Sequence, residues 1–222
     1  MNDLTISQRY WICAANKNGN ISSTSEEEMI CILSAGLYDL KFDGCIEIED
    51  KNITISRDLP SNLEHLRSLY DSIVRTSASK SPLPVKELVN KYVDSDGKLM
   101  TKLIGDIVAS LSARGLTGEK EGFFKKHIIP DKSVISETIE TLKRELSEGS
   151  EISEDNACLI LLLNASGHLE KYFASDEKKM LRKKLKELKE TPEGKEISEM
   201  SDEIEDMLLM WASLFSVYFP AE

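Results

Sequence analysis

Two stretches of the sequence share one order of predicted elements, a helix, a second helix and then a β-hairpin. This order restricts the folds that are open to the chain. In the first stretch, apolar residues at spacings of three and four predict helices over 4–16 and 26–41. The segments 45–48 and 53–55 then alternate apolar and polar residues, which predicts a short hairpin with one solvated face.

The same order returns further along the chain. Helices are predicted over 85–93 and 99–113, and residues 116–129 are predicted to form a second hairpin. Before them, Thr76–Pro84 is rich in small residues and proline, so we predict a linker there. After Ser133 the pattern is wholly helical, with helices predicted over 135–146, 156–173, 177–189 and 196–218. The predicted fold class is mainly α with two short β-hairpins.

The charge balance argues against nucleic acid as a partner. The chain carries 28 Lys and Arg against 39 Asp and Glu, a net charge of −11, whereas binding to phosphates needs a basic surface that displaces counterions. Helix–helix–hairpin is also the plan of a winged helix. However, the helix that would enter the major groove, 26–41, opens with three glutamates that would meet phosphates with like charge. We expect no nucleic-acid partner.

The sequence contains no recognisable pattern of catalytic or metal-binding residues. The three histidines, His65, His127 and His168, are scattered and form no H-x-x-x-H pair. There is no P-loop, no dinucleotide-binding fingerprint and no nucleophile elbow. We predict a protein that is not an enzyme and that holds no cofactor and no metal. The alternative hypothesis of an enzyme that acts on a small phosphorylated or lipid substrate has no residues that can be named for it.

Several features favour a cytoplasmic location. The first residues have neither the basic n-region nor the apolar h-region of a secretory signal. The longest apolar stretch, Ala157–Leu163, is too short to span a bilayer. The four cysteines form no C-x-x-C pair, which favours reduced and buried thiols; they are Cys13, Cys31, Cys45 and Cys158.

The most informative local feature is the predicted tip of the second hairpin, Gly122–His127. Side chains alternate along a strand, so one of the adjacent rings of Phe123 and Phe124 is expected near the surface. An aromatic ring next to lysines suits a membrane interface, where the ring enters the headgroup layer and the ammonium meets lipid phosphate. The alternative is that both rings cover the core and that Lys125 and Lys126 are ordinary surface residues.

A second basic feature is the helix 177–190, in which lysines surround an apolar stripe. Such a helix could lie on an anionic membrane. The segment that follows it, 190–206, is strongly acidic. Mutual neutralisation of the two segments is the simpler interpretation, and we prefer it.

The order of elements, taken together with several local strings, resembles the Golgi phosphoprotein 3 family, which includes eukaryotic peripheral membrane proteins and many bacterial relatives. The resemblance runs from about residue 4 to about residue 190. No single string is diagnostic, and their order and spacing carry the resemblance. The strings are Leu4–Arg9 (LTISQR), Ala35–Ile48 (AGLYDLKFDGCIEI), Leu111–Leu116 (LSARGL), the Phe123–Phe124 hairpin with Pro130, and Leu159–Glu170 (LILLLNASGHLE).

The resemblance implies a central helical bundle surrounded by further helices and short hairpins. It also implies a headgroup pocket for phosphatidylinositol 4-phosphate and, beside it, a hydrophobic hairpin that enters the bilayer. In eukaryotic members the pocket uses a Trp and several Arg, whereas the matching positions here carry Thr24, Leu33, Thr101 and Ile104. None of these side chains can hold a phosphate as the bidentate fork of an arginine does. The chain therefore resembles a bacterial-type member whose lipid specificity is altered or lost.

These inferences together predict a single domain over residues 1–222, built from units at about 4–57 and 83–130 and an all-helical part at 133–220. We expect a cytoplasmic protein that associates peripherally with an anionic phospholipid headgroup or membrane surface. The expected contact residues are Phe123, Phe124, Lys125, Lys126 and Arg114. The alternative is a protein-interaction module that binds a protein partner and no lipid.

Overall fold

The computed structural model describes residues 4–22, 25–95, 97–122, 126–146 and 152–189, and the single residues 199, 202, 205, 206 and 209. Its elements, in chain order, are α1 (Ile6–Ala14), α2 (Glu26–Phe42), β1 (Ile46–Glu49), β2 (Asn52–Ile55), a 3₁₀ helix (Ser61–Leu66), α3 (Arg67–Ser77), β3 (Leu83–Pro84), α4 (Val85–Asp94), α5 (Lys98–Ala113), β4 (Thr117–Glu121), β5 (Lys126–Pro130), α6 (Lys132–Leu146), α7 (Glu154–Ala165), a second 3₁₀ helix (His168–Lys171) and α8 (Ser175–Lys189). The prediction of a mainly helical fold with short hairpins is confirmed.

Helix α1 forms the centre of the fold. All nine of its residues are buried, and it packs against α2, α5, α6 and α7. Its first turn is closed by a capping box, in which the Thr5 side chain accepts from the backbone N–H of Gln8 and the Gln8 side chain accepts from that of Thr5. Because α7 is also buried over most of its length, these two helices account for the apolar strings at 4–16 and 157–163.

The first hairpin belongs to a sheet of three strands. Strands β1 and β2 pair antiparallel around Asp50 and Lys51, which both have positive φ (48° and 63°), as a tight hairpin turn of the primed type requires. Strand β3 pairs antiparallel with β2. The predicted linker Thr76–Pro84 is therefore wrong at its end, because Leu83 is fully buried and extends the sheet.

The second hairpin follows directly from the way in which α5 ends. Gly115 has a φ of 70°, and the backbone N–H of Leu116 donates to the carbonyl of Leu111 at 3.0 Å while that of Gly115 donates to Ser112 at 3.0 Å. This is the Schellman arrangement, in which a left-handed glycine reverses the chain. Strands β4 and β5 then pair antiparallel, with Thr117 opposite Pro130 and Glu121 opposite Lys126. The predicted hairpin at 116–129 is confirmed.

The predicted continuous helix over 156–173 is wrong. Helix α7 ends at Ala165, and Gly167 has a φ of 71°. A left-handed glycine just after the last turn stops an α-helix, so a 3₁₀ turn carries the chain onward from His168. The predicted helix over 196–218 lies outside the described residues, apart from the five single residues between 199 and 209, which are helical.

Helix α8 packs on α6, and Leu181 from its apolar stripe is buried. Several of its lysines meet nearby acidic or carbonyl groups. Lys178 pairs with Glu170 at 3.1 Å and Lys183 pairs with Glu187 at 3.6 Å. The Lys184 ammonium donates to the Glu145 carbonyl. Local partners therefore compensate part of the basic face. The acidic segment that we expected to neutralise it lies mostly outside the described residues.

Candidate functional site

The second hairpin has one solvated face and one face turned toward the body of the fold. Residues that lie opposite each other on paired strands share a face, and this places Glu119, Glu121, Lys126 and Ile128 on the solvated side, where all four are exposed. Lys120 and His127 lie opposite each other on the inner side and are half-buried. The described strands of the hairpin thus carry two carboxylates, one ammonium and one aliphatic side chain toward solvent.

Lys126 is the described member of the predicted lysine pair, and its charge is compensated on the hairpin itself. Its Nζ lies 2.6 Å from Oε2 of Glu119 and 4.0 Å from Oε1 of Glu121. The hydrogen bond to Glu119 raises the pKa of Lys126, so this ammonium stays protonated. An exposed pair of this kind contributes little to stability, but its two carboxylates reduce the positive potential that the hairpin offers to an anionic surface.

Lys120, on the inner face, connects the hairpin to the loop between α1 and α2. Its Nζ donates to the carbonyl of Lys17 at 2.9 Å and to Oδ1 of Asn18 at 3.3 Å. At the same place Gly19, with a φ of 72°, is so close to β5 that a Cβ atom built on it would overlap the carbonyl oxygen of Ile128. Sequence reasoning missed this contact, because it joins residues about one hundred positions apart and leaves no local signal.

Arg114 is the only other predicted contact residue within the described ranges. Phe123, Phe124 and Lys125 are in the segment that joins β4 to β5 and lie outside the described residues. Arg114 is the C-cap of α5, at the opposite end of the hairpin. The five residues of β4 between Arg114 and the tip span about 13 Å at about 3.3 Å per residue, so the structure separates Arg114 from Lys126.

Arg114 instead lines a polar cleft of about 690 Å³ beside the first turn of α1. Within this cleft His65 is buried, and its Nε2 lies 3.1 Å from Oγ1 of Thr5. Burial, together with the nearby Arg114 charge, lowers the pKa of His65 to about 4, so the ring is neutral at physiological pH. The sequence identified Arg114 as a candidate but gave no sign that His65 and Thr5 meet it from other elements.

The positions that match the family's headgroup pocket do not form a phosphate site among the described residues. Leu33 is fully buried in the core, Thr101 is exposed and Ile104 is half-buried, while Thr24 lies outside the described residues. A buried aliphatic position cannot present a charged group to a ligand without disrupting the core. Leu33 therefore makes no headgroup contact.

Buried polar groups elsewhere have structural partners. The Asp39 carboxylate accepts from the backbone N–H of Ile6 at 2.6 Å and of Ser7 at 2.9 Å, so it caps α1 from the neighbouring helix. Burial raises its pKa to about 6. Arg9 is buried beside α7, where its guanidinium donates to Asp155 at 2.7 Å and also to Asn156.

The thiols and histidines offer no reactive centre in the described part of the chain. All four cysteines are free and buried, and burial raises the pKa of the Cys13 and Cys31 thiols to about 12, which removes nucleophilic thiolate. His168 lies 3.2 Å from Glu28 in a buried pair. Among the described residues, no three His, Cys, Asp or Glu side chains are grouped so that they could hold a metal ion.

Within the same ranges, no helix has both the length and the apolar character needed to cross a bilayer. The sequence matches the family model described as Golgi phosphoprotein 3 (GPP34) over residues 7–204. No curated protein matches the chain. The matched range includes α1, both hairpins and α8, so it covers every element described above apart from the first residue of α1.

Proposed function

The chain belongs to the Golgi phosphoprotein 3 family, and from that premise we propose that it is a non-enzymatic adaptor on the cytoplasmic face of a membrane. Its proposed ligand is anionic phospholipid, and the phosphoinositide that the family resemblance implies is one member of that class. The observation that carries the proposal is hairpin β4–β5, which stands where the family resemblance expects a membrane-entering hairpin and whose connecting segment contains Phe123 and Phe124.

In this proposal the tip acts as an aromatic wedge with a weak electrostatic contribution. Phenylalanine rings partition into the headgroup–acyl boundary, and lysines beside them meet lipid phosphate. A lysine near an anionic surface contributes about 1 kcal/mol. We assign this full electrostatic attraction to Lys125. Lys126 contributes less, because the carboxylates of Glu119 and Glu121 already lie beside its ammonium.

Arg114 has no part in the wedge, because it lies at the other end of the hairpin. It is a candidate contact only for a headgroup that enters the polar cleft beside α1. Since Leu33 is buried and neither Thr101 nor Ile104 carries a guanidinium, we propose that the protein responds to the negative charge of the surface rather than to one headgroup.

Liposome co-sedimentation tests this proposal. Neutral vesicles, vesicles with a generic anionic lipid and vesicles with phosphatidylinositol 4-phosphate are compared at about 0.15 M salt, where weak surface electrostatics are already screened. We expect binding to both anionic compositions and none to neutral vesicles. Binding to the phosphoinositide alone would overturn the surface-charge proposal and place a specific pocket elsewhere in the chain.

A second function, a protein-interaction module without lipid binding, is favoured by one observation. The solvated face of the hairpin carries Glu119 and Glu121 around Lys126, on a chain whose net charge is −11. Such a face would suit a basic protein surface better than an anionic membrane. If none of the three vesicle types binds the protein while affinity capture recovers a partner, this second function replaces the first.

A further inference from the structure

We infer that the loop Asn16–Asn20, here called the asparagine loop, braces hairpin β4–β5, and that Lys120 is a positioning residue for the proposed membrane contact rather than a lipid contact. The brace itself is a feature of the fold. Its role in membrane binding rests on the proposed function.

The brace consists of two contacts on neighbouring strands. From β4, the Lys120 ammonium donates to the Lys17 carbonyl at 2.9 Å and to the Asn18 side chain at 3.3 Å. From β5, the Ile128 carbonyl lies against Gly19, with no room for a Cβ atom. The same five-residue loop therefore holds both described strands of the hairpin.

The asparagine loop can act as a brace because its own hydrogen bonds hold it. Oδ1 of Asn16 accepts from the backbone N–H groups of Asn18 at 2.8 Å and Asn20 at 3.3 Å. The backbone N–H of Asn16 donates to Asn20 at 3.0 Å, and that of Gly19 donates to Asn16 at 2.8 Å. A loop closed by four such bonds loses little further conformational freedom when the hairpin rests on it.

The loop is in turn connected to the core. On its N-terminal side the carbonyl of Cys13, in α1, accepts from the Tyr172 hydroxyl at 2.7 Å. On its C-terminal side the Glu28 carboxylate accepts from the backbone N–H of Ser22 at 2.6 Å and lies 3.2 Å from His168. The hairpin is thus linked through the loop to the central helix.

This arrangement distinguishes two of the three lysines in the sequence EKEGFFKK, Lys120 and Lys126. The ammonium of Lys120 is turned inward and occupied by the loop, whereas Lys126 is on the solvated face. A braced hairpin reaches the bilayer already ordered, so insertion does not pay the entropy of ordering the strands. Removing the brace should therefore weaken wedge insertion even though no lipid contact is lost.

The first test compares Lys120→Met with Lys126→Met, which removes the same charge from the same hairpin and leaves the brace intact. Amide hydrogen exchange of residues 117–121 and 126–129 is measured on the full chain without lipid. We expect exchange about tenfold faster in Lys120→Met, because the variant loses a charged donor that bonds two acceptors in the loop, one exposed and one part-buried. Lys126→Met should change it less than about threefold, because its ion pair is exposed. Lys120→Arg should restore protection.

The second test uses the glycine. Gly19→Ala and Gly44→Ala place a side chain at nearly the same positive φ, 72° and 71°, but only at Gly19 would the Cβ meet another backbone. We expect faster exchange confined to the hairpin in Gly19→Ala and no such localised effect in Gly44→Ala. Equal exchange in both variants, or wild-type exchange in Lys120→Met, would overturn the brace.

Vesicle binding tests the functional half separately. Lys120→Met should lose more affinity for anionic vesicles than Lys126→Met, and Lys120→Arg should recover it. Equal losses in the two methionine variants, with the exchange difference present, would show that the brace exists but does not position a membrane contact. If the wild type binds no vesicle, the proposed function is wrong, and the hydrogen-exchange result still shows whether the asparagine loop braces the hairpin.

Discussion

Leu33 occupies a position at which the family resemblance expects a headgroup-binding arginine, and its side chain is fully buried. The apolar spacing of the predicted helix 26–41 includes Leu33, and the structure confirms that this side chain faces the core. The buried environment explains why an aliphatic residue suits this position in the present chain. It also means that the family's pocket cannot be restored by a single substitution.

We predict that Leu33→Arg lowers the free energy of unfolding by more than about 3 kcal/mol, because it places an unpaired charge in the core. Leu33→Met, a change of similar volume, should cost less than about 1.5 kcal/mol. Chemical denaturation of both variants provides the comparison. An arginine variant as stable as the methionine variant and newly able to bind phosphatidylinositol 4-phosphate would show that position 33 faces a ligand.

Asp39 and His65 make opposite contributions to the pH dependence of stability. Burial raises the pKa of Asp39 to about 6 from about 3.9 in an unfolded chain. The contribution of Asp39 to the free energy of unfolding is therefore complete below about pH 4 and is lost as the pH rises through 6. Burial lowers the pKa of His65 to about 4 from about 6.5. The His65 share is complete above about pH 6.5 and is lost as the pH falls through 4.

The two contributions are each about 3 kcal/mol by linkage, so they nearly cancel between pH 4 and 6 in the wild type. As the pH falls from 7 to 4, the free energy of unfolding of His65→Gln should rise by about 3 kcal/mol relative to that of the wild type, because the variant has no histidine to protonate. Asp39→Asn should lose a similar amount over the same interval. Urea denaturation at pH 7 and pH 4 measures the free energy of unfolding of both variants and the wild type. If the difference between a variant and the wild type is the same at both pH values, the pKa shift assigned to that residue is refuted.

At the scale of elements, the sequence predicted those helices and strands that depend on residues close together in the chain. The apolar spacing of the first helices and the alternation of the first hairpin were visible in the sequence. Strand β3 was missed because two residues, Leu83 and Pro84, give no alternation to detect. The split between α7 and the following 3₁₀ helix was missed although Gly167 was readable, because the apolar pattern continued through it.

The turn of the first hairpin allows a test at this scale. Lys51 has a φ of 63° without being glycine, so Lys51→Gly should relieve strain and raise stability by about 0.5–1 kcal/mol after the entropy of glycine is counted. Its ion pair with Asp206, 63% and 39% exposed, should contribute little. Glu47→Gly, in the middle of β1, should destabilise by about 0.5–1 kcal/mol instead. Thermal unfolding would contradict the argument if both changes had the same sign.

At the scale of the whole molecule, the net charge of −11 and the proposed membrane contact are compatible, because screening limits each charge to its neighbourhood. At physiological salt the Debye length is about 8 Å, so an approaching membrane responds to the hairpin tip and its flanks rather than to the whole surface. The sequence predicted the hairpin and its aromatic tip. It could not predict the compensation of Lys126 or the brace at Lys120, because both depend on which strand residues face each other and which loop they meet.

The most direct measurement is binding of anionic vesicles by the double variant Phe123→Ser, Phe124→Ser, compared with wild type at equal helical circular dichroism. The control is Val74→Ser, Met180→Ser, which removes two apolar side chains that are 39% and 48% exposed and lie far from the hairpin in sequence. We expect the wild type and the control to bind and the phenylalanine variant not to bind. Undiminished binding by the phenylalanine variant would contradict this expectation.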